Sequence, residues 1–414
     1  MPAPSSASGL LEAPPLARLE DVLVCYAANA VAGRGGQGEY LRQVMYAIDQ
    51  LPHGRVLCRG GKARRASCVE VPFRGLRAAC FRALRSTPLL RRRADWMVLL
   101  SDLDFDSQVR ADVAELKQPG GKLFNGVMGQ SAGTFEFLSR GGVPLVLTAL
   151  NTHMENLAQV LDDEHRRLGV RTPSFIHSGM RRRARREIEV ATCIHAVSNL
   201  TRQSFMERGV PAWKIEVVMP AVDLEYFRPV PKRDDTFRVL AVITIDPRKG
   251  AYYLLQAFEK AAIPNSELVI IGATGDRWSK QMLAQFTARL PNLRIQSADV
   301  FRAPLESTYG QASVVVHPAL EDGFALAVGQ ALACGRPVIT THATGASELI
   351  SEGQNGYVLK ARDVDGLVDR LRLLARDRSL LDRMSQAAPA AVAHLGYPQF
   401  AASMARLYLR ALSN

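Results

Sequence analysis

Long apolar runs are missing from this sequence. The longest, such as Val143-Pro144-Leu145-Val146-Leu147, are strand-length and far short of the ~20 residues a membrane-spanning helix needs. Paired cysteines are missing as well. Cys25, Cys58, Cys68, Cys80, Cys193 and Cys334 are scattered with no C-x-x-C among them, which argues against a zinc site or a dithiol redox motif. Several sit in apolar runs, as buried reduced thiols do. No internal period of about 20–50 residues recurs, so a solenoid is not expected. Residues 1–20, rich in Pro, Ala and Ser as far as Ala17, lack a basic stretch followed by an apolar core; they read as a disordered tail and not a signal peptide. Aromatics are only 7% of the chain and no nucleic-acid motif appears, so nucleic acid is not an expected partner. The cytoplasm is the expected compartment.

What is present is an ordinary globular composition, 47% apolar and 22% charged, with a net charge of +12 over 414 residues. That length suits two domains, and the charge favours anionic partners such as a phosphorylated substrate or a membrane surface. Short β-branched runs alternate with amphipathic stretches. Strands are expected at Val22–Tyr26, Trp96–Leu100, Lys122–Gly126, Leu145–Thr148, Cys193–Val197 and Ile215–Val218. After Asp223, two prolines and clustered charge at 227–235 mark a linker. The rhythm restarts with Phe237–Ile243, Glu267–Ile271, Leu293–Gln296, Ser313–His317 and Pro337–Thr341. Such alternation predicts an α/β fold with parallel sheets covered on both faces. The organisation expected is a first domain over 21–223, a second over 236–396, and a last helix, 397–414, that packs back on the first.

Ligands in open α/β sheets bind beyond the carboxyl ends of the strands, and three loops there stand out. Gly33-Arg34-Gly35-Gly36-Gln37-Gly38 follows the first strand and opens a helix. Its glycines let a backbone approach an anion at a helix N-terminus; a plain strand-to-helix turn explains it equally well. Its spacing fits G-x-G-x-x-G, but no acidic residue clearly ends the second strand, so no nicotinamide cofactor is expected. Thr244-Ile245-Asp246-Pro247-Arg248-Lys249-Gly250 follows the first strand of the second half. Lys as a point charge and Arg as a two-pronged donor make a clamp for a diphosphate. The third loop starts at His317 and runs through Glu321-Asp322-Gly323-Phe324-Ala325 into a helix that stops at Gly335, presenting a positive helix end to a ligand.

This third segment closely resembles the signature of family 4 of the retaining glycosyltransferases, which have the GT-B fold: two Rossmann-like parallel-sheet domains facing a cleft. The resemblance covers nearly all of the chain and is most specific over 238–360. It includes Pro247-Arg248-Lys249-Gly250, Glu267–Gly272, Tyr309–Ser313 and Thr344–Ile350. It implies a metal-independent transfer, with retention, from a nucleotide-sugar to a saccharide or lipid-linked acceptor. The donor is then a substrate and no cofactor is implied. Position by position, Asp322 stands where the family's first Glu contacts the transferred sugar. Gln330, eight residues on, stands where its second Glu accepts from the ribose hydroxyls. Arg248 and Lys249 would hold the diphosphate, and Thr244 replaces an Arg often found there. His153 looks like the family's first-domain histidine beside the reacting sugar. Donor contacts are expected from Gly36, Thr244, Arg248, Lys249, Gly272, Gly323, Phe324, Ala325 and Gln330, with His153 and Asp322 catalytic. The Asp and Gln departures shorten one acid and neutralise the other, which leaves a non-catalytic nucleotide-sugar binder as the alternative.

Two further segments carry concentrated charge of one sign. Asp102-Leu103-Asp104-Phe105-Asp106, read as following a strand, has the spacing of a metal–diphosphate D-x-D, but an N-cap with an acidic first turn is the preferred reading. Phe73–Arg93 holds seven Arg and no acid. Its interleaved apolar residues suit a segment lying on an anionic membrane surface, and a solvated helix face is the alternative. The chain could thus be peripheral on the inner membrane face.

Overall fold

The computed structural model describes residues 15–61, 67–72, 83, 87, 93–118, 120–171, 174–274, 277–296 and 305–414. The first half forms a seven-stranded parallel sheet from β1 (Leu23–Ala28), β2 (Gly54–Cys58), β3 (Cys68–Glu70), β4 (Lys122–Val127), β5 (Leu145–Ala149), β6 (Cys193–Ala196) and β7 (Ile215–Val217), in the order β3-β2-β1-β4-β5-β6-β7. The second half forms a six-stranded parallel sheet from β8 (Phe237–Val242), β9 (Ser266–Ile271), β10 (Leu293–Gln296), β11 (Val314–His317), β12 (Val338–Thr341) and β13 (Gly356–Leu359), ordered β10-β9-β8-β11-β12-β13. Every residue of β5, β11 and β12 is buried, as expected when helices cover both faces of a parallel sheet. These are two Rossmann-like domains.

Both sheets wind outward and then return beside their first strand. Each therefore has a switch point, between β1 and β4 in one and between β8 and β11 in the other, where a crevice opens beyond the strand ends. Register fixes this: Tyr26 pairs with Asn125, and Val239 with Val314. The cationic turn follows β8 and the acidic loop follows β11, so the second crevice has one on each side.

Two expectations are corrected. Trp96–Leu100 is not a strand but part of a helix, Ala94–Asp112. Its buried positions Leu99, Asp102, Phe105, Asp106, Val109 and Val113 repeat at three or four residues, the helical and not the strand period. The short strands β2 and β3 fill the sheet instead. The disorder expected over 1–20 does not hold for its last part: Ala17–Leu19 is a 3-10 turn, Leu19 is fully buried, and residues 1–14 lie outside the described residues. Of the Phe73–Arg93 segment only residues 83, 87 and 93 fall within the described residues.

The last helix, Tyr397–Ser413, returns to the first domain and packs on the helix Gly35–Ile48. Its Tyr408 hydroxyl donates to Asn125 at 3.2 Å, and Arg410 pairs with Glu216. One apolar core continues across both halves, from Tyr26 and Tyr40 through Val222 to Phe324, Val328 and Tyr408. Burying a side chain such as Phe324 contributes about 1.5–3 kcal/mol. The halves are thus joined by packing as well as by linkers. Among the described residues no helix is long and apolar enough to cross a membrane.

Candidate active site

The cationic turn is a single 3-10 turn, Pro247–Lys249, capped by the Asp246 carboxylate, which accepts from the Lys249 amide at 2.9 Å. Gly250 ends it with φ +70°, a left-handed conformation that glycine adopts without strain. A helix, Ala251–Ala261, follows. This geometry aims Arg248 and Lys249 at the loop after β11 rather than at solvent.

That loop meets them with two carboxylates. Lys249 Nζ pairs with Asp322 Oδ2, which also accepts from His317 Nε2 at 2.9 Å. Arg248 Nη1 donates to Glu321 Oε2 at 3.0 Å and to the Glu321 carbonyl at 3.3 Å. Burial alone would raise the Asp322 carboxyl, but Lys249, the His317 bond and Arg248 outweigh it and hold its pKa well below the usual range. Asp322 is ionised. His317 is pushed down, chiefly by burial, so its ring is neutral with the proton on Nε2. Among the described residues its Nδ1 has no hydrogen-bond partner.

The first domain approaches the same loop through the residues after β5. Glu321 Oε1 accepts from the Thr152 amide at 2.9 Å and from its hydroxyl at 3.0 Å. Gly323 lies flat on this loop; a Cβ there would overlap the Leu150 carbonyl and sit 2.9 Å from Asn151 Cα. Only glycine lets the two backbones come this close. The Gly323 carbonyl accepts from the Ser198 hydroxyl at 2.6 Å, and Glu348 accepts from Asn199 and the Leu200 amide.

His153 follows directly and caps the helix Met154–Leu168. Its Nδ1 accepts from the Glu155 amide at 3.2 Å, and its own amide donates to Ser204 Oγ at 2.9 Å. Burial, helped by Arg208 and Arg185, depresses its pKa to about 4 against the pull of Glu155. With Nδ1 accepting, the ring carries its proton on Nε2 and offers it as a donor.

The structure thus brings Arg248, Lys249, Asp322 and Gly323 together and lays the backbone just before His153 against the same loop. Thr244 is exposed, four residues before Arg248, and a Cβ on Gly272 would overlap the Ile243 carbonyl just before it. Ala325 opens the helix Leu326–Ala333 with φ +67° and no side-chain cap, leaving first-turn N–H groups for an anion. Gln330 Oε1 accepts from the Tyr309 hydroxyl at 3.0 Å, which turns its amide nitrogen away from Tyr309. The Phe324 ring lies in the shared core, so its contribution to a donor is confined to its backbone. Gly36 is exposed in the first turn of its helix with open space before it.

Sequence reading missed Glu321, Thr152 and His317 as site residues. Glu321 was legible as a second acid beside Asp322; Thr152 was not, because its partner lies 169 positions away. The D-x-D does not form the N-cap expected of it. It lies mid-helix: Asp102 accepts from Asn29, Asp104 pairs with Arg59, and Asp106 accepts from the Gly133 and Thr134 amides of another helix start.

With this geometry in place, comparisons with known proteins become informative. Residues 223–391 match the family model described as glycosyl transferases group 1. The D-inositol 3-phosphate glycosyltransferase of Kribbella flavida is 29% identical over 201 residues, 44% of this chain and 47% of that protein. A GDP-mannose-dependent alpha-(1-6)-phosphatidylinositol monomannoside mannosyltransferase of Mycolicibacterium smegmatis is 26% identical over 212 residues, 45% and 54% of the respective chains. The chain spans about half the length of the curated relatives it matches. Among solved structures, sucrose-phosphate synthase of Thermosynechococcus elongatus superposes with a TM-score of 0.72 at 18% identity, covering 94% of this chain and 98% of that one. Anabaena HepE in complex with UDP-glucose superposes with a TM-score of 0.65 at 16% identity, covering 92% and 98%. The architecture is the GT-B fold.

Proposed function

We propose that this chain is a glycosyltransferase that moves a sugar from a nucleotide-sugar donor to a saccharide or lipid-linked acceptor, with retention and without a metal. The observation that carries this reading is the docking of the family-matching loop, Glu321–Gly323, onto the first-domain loop that ends in His153. In support, Lys249, the ionised Asp322 and the uncapped helix start belong to the two loops at the switch point of the second sheet, and His153 follows directly on the first-domain loop that meets them.

In this reading the diphosphate lies against Lys249 and the first turn of Leu326–Ala333. Negative charge grows on it as the bond to the sugar breaks, and donors fixed in place beforehand stabilise that charge without reorganising. Lys249 lies in contact with Asp322 before the donor arrives and shares its charge between the two. His153 Nε2–H orients a sugar hydroxyl. Asp322, anchored by His317, faces the sugar from the other side. Arg248 holds Glu321, and through it the Thr152–His153 loop, rather than contacting phosphate alone. Asp322 remains an ionised, doubly anchored carboxylate, and that supports turnover over silent binding. The Arg-rich segment 73–93 supports attachment to an anionic membrane surface.

The test is a screen of UDP-, GDP- and ADP-sugars for a rise in melting temperature, since a ligand that binds only the native state stabilises it, followed by measurement of donor turnover and product anomer. A donor that stabilises the protein and is turned over supports the reading. If no nucleotide-sugar does either, the reading fails.

A further inference from the structure

The helix Met154–Leu168 opens with His153 but is gripped far from it. Eleven residues on, about 16 Å along a helix axis, Glu164 is wholly buried. Its Oε1 accepts from the Tyr253 hydroxyl at 2.6 Å, and its Oε2 accepts from Arg362 Nε at 2.7 Å. Both partners belong to the second domain. Tyr253 lies in the helix that follows the cationic turn, and Arg362 lies just after β13. Arg362 has φ +70°, a conformation that residues other than glycine or asparagine seldom adopt. Between the two ends, the helix packs against the Pro247–Lys249 turn.

We propose that Glu164 is a positioning residue: its contact with Tyr253 and Arg362 locks the helix Met154–Leu168 across the domain boundary and so fixes His153 against the donor half. This rests on the reading of His153 and Asp322 as partners in sugar transfer. A helix held at one end pivots, and one held at two points does not. Thr152–Glu321 supplies the first point and Glu164 the second. The two bonds exist only while the boundary is closed, because opening separates the carboxylate from both partners and replaces them with water. The clasp therefore ties closure to the placement of His153. Its chemistry is carboxylate to guanidinium and phenol, with no part in binding substrate.

Three readouts on the full chain test this. The variants are Glu164→Gln and Arg362→Gln, with Tyr253→Phe as a milder third in case the first two fold poorly. The first readout is the titration of the His153 ring by NMR with carbon-labelled histidine, assigned by His153→Gln. The groups facing it are Arg208, Arg185 and Glu155, and none is altered. In the native chain the ring stays neutral down to about pH 5; in the variants its pKa moves from about 4 toward 6.5 as the loop loosens. The second is the radius of gyration from solution scattering, which increases. The third is kinetic: turnover falls about tenfold to a hundredfold, while UDP or GDP binding is retained. An unchanged His153 titration and radius, with only a lower melting temperature, would overturn the proposal and leave Glu164 a packing residue. Should the native chain turn over no donor, the sugar-transfer reading falls, and the titration and scattering still decide whether the clasp holds the helix.

Discussion

Thr152 gives both its amide and its hydroxyl proton to a single carboxylate oxygen of Glu321, at 2.9 and 3.0 Å, across the boundary between the two domains. The other Glu321 oxygen receives Arg248. One side chain therefore joins the cationic turn, the acidic loop and the loop carrying His153. Glu321→Ala leaves the Arg248 guanidinium largely buried beside no carboxylate of its own. Breaking such a pair costs about 3–5 kcal/mol, so urea denaturation should show a loss of that order. Thr152→Ala removes one of the two hydrogen bonds to this carboxylate oxygen, keeps the amide bond, and should cost about 1.5 kcal/mol. A similar loss in both variants would show that Glu321 is not the hub described.

On the proposed reading, donor chemistry depends most on Lys249. Lys249→Ala should lower kcat/KM by roughly a hundredfold or more, the scale of losing one fixed charge stabiliser, and should abolish thermal stabilisation by the donor. The same change removes the cation nearest Asp322. The Asp322 pKa is depressed in the folded state, so its contribution to stability is fully present above the unfolded value near 3.8 and is lost as pH falls through the depressed folded value. Without Lys249 that loss should begin at a higher pH, which melting curves from pH 3 to 7 would reveal. A variant with full activity on every donor would refute the diphosphate assignment.

The depressed pKa of His153 sets a second pH expectation. A folded-state value of about 4 against an ordinary 6.5 means that the neutral ring persists across the physiological range. Stability from this group is complete above pH 6.5 and is lost as pH falls toward 4, because the unfolded chain binds the proton first. Turnover should therefore show no His153-dependent fall between pH 8 and about 5. An acid limb centred near 6.5 that disappears in His153→Gln would show that the ring is solvated and that the crevice is open in solution.

How much of this was legible follows from which forces are local. The loops after β8 and β11 were readable because their residue types announce the chemistry: adjacent cations in one, paired acids before glycine in the other. Strand ends are where α/β sheets place ligands, so position and chemistry agreed. The helix at Ala94–Asp112 was misread because Trp96–Leu100 is apolar at every position, and a short apolar run carries no period. Only the burial of Asp102 and Asp106, polar residues that a strand reading would turn outward, reveals the helix. Thr152 and Glu164 were beyond reach for a different reason: each is ordinary in its own helix or loop, and acquires a role only through partners brought from the other domain.

The basic segment 73–93 gives a separate test. If it lies on anionic lipid, the protein should sediment with vesicles containing phosphatidylserine and not with neutral phosphatidylcholine. Each basic residue near such a surface contributes about 1 kcal/mol, and salt screens the attraction over roughly 10 Å at 0.1 M. Binding should weaken steeply as salt rises and should be lost when Arg74, Arg77, Arg82 and Arg85 become Gln. Equal binding to neutral vesicles would point to apolar contact and not charge.

Gly36 separates a donor contact from a mere turn. It sits in the first turn of the helix Gly35–Ile48, and a Cβ placed there meets nothing within 4 Å. Alanine should therefore be accommodated by the protein itself. Because glycine lowers helix stability by about 1 kcal/mol relative to alanine, Gly36→Ala should leave the melting temperature unchanged or slightly higher. A donor phosphate packed against this backbone would collide with the new methyl, and its KM should rise by about tenfold or more. Gly323→Ala is the opposite case: its methyl would overlap the Leu150 carbonyl, so the contact between the domains must open before any donor binds. If Gly36→Ala changes neither melting temperature nor donor KM, the glycine-rich loop is a strand-to-helix connection and the donor is held by the second domain alone.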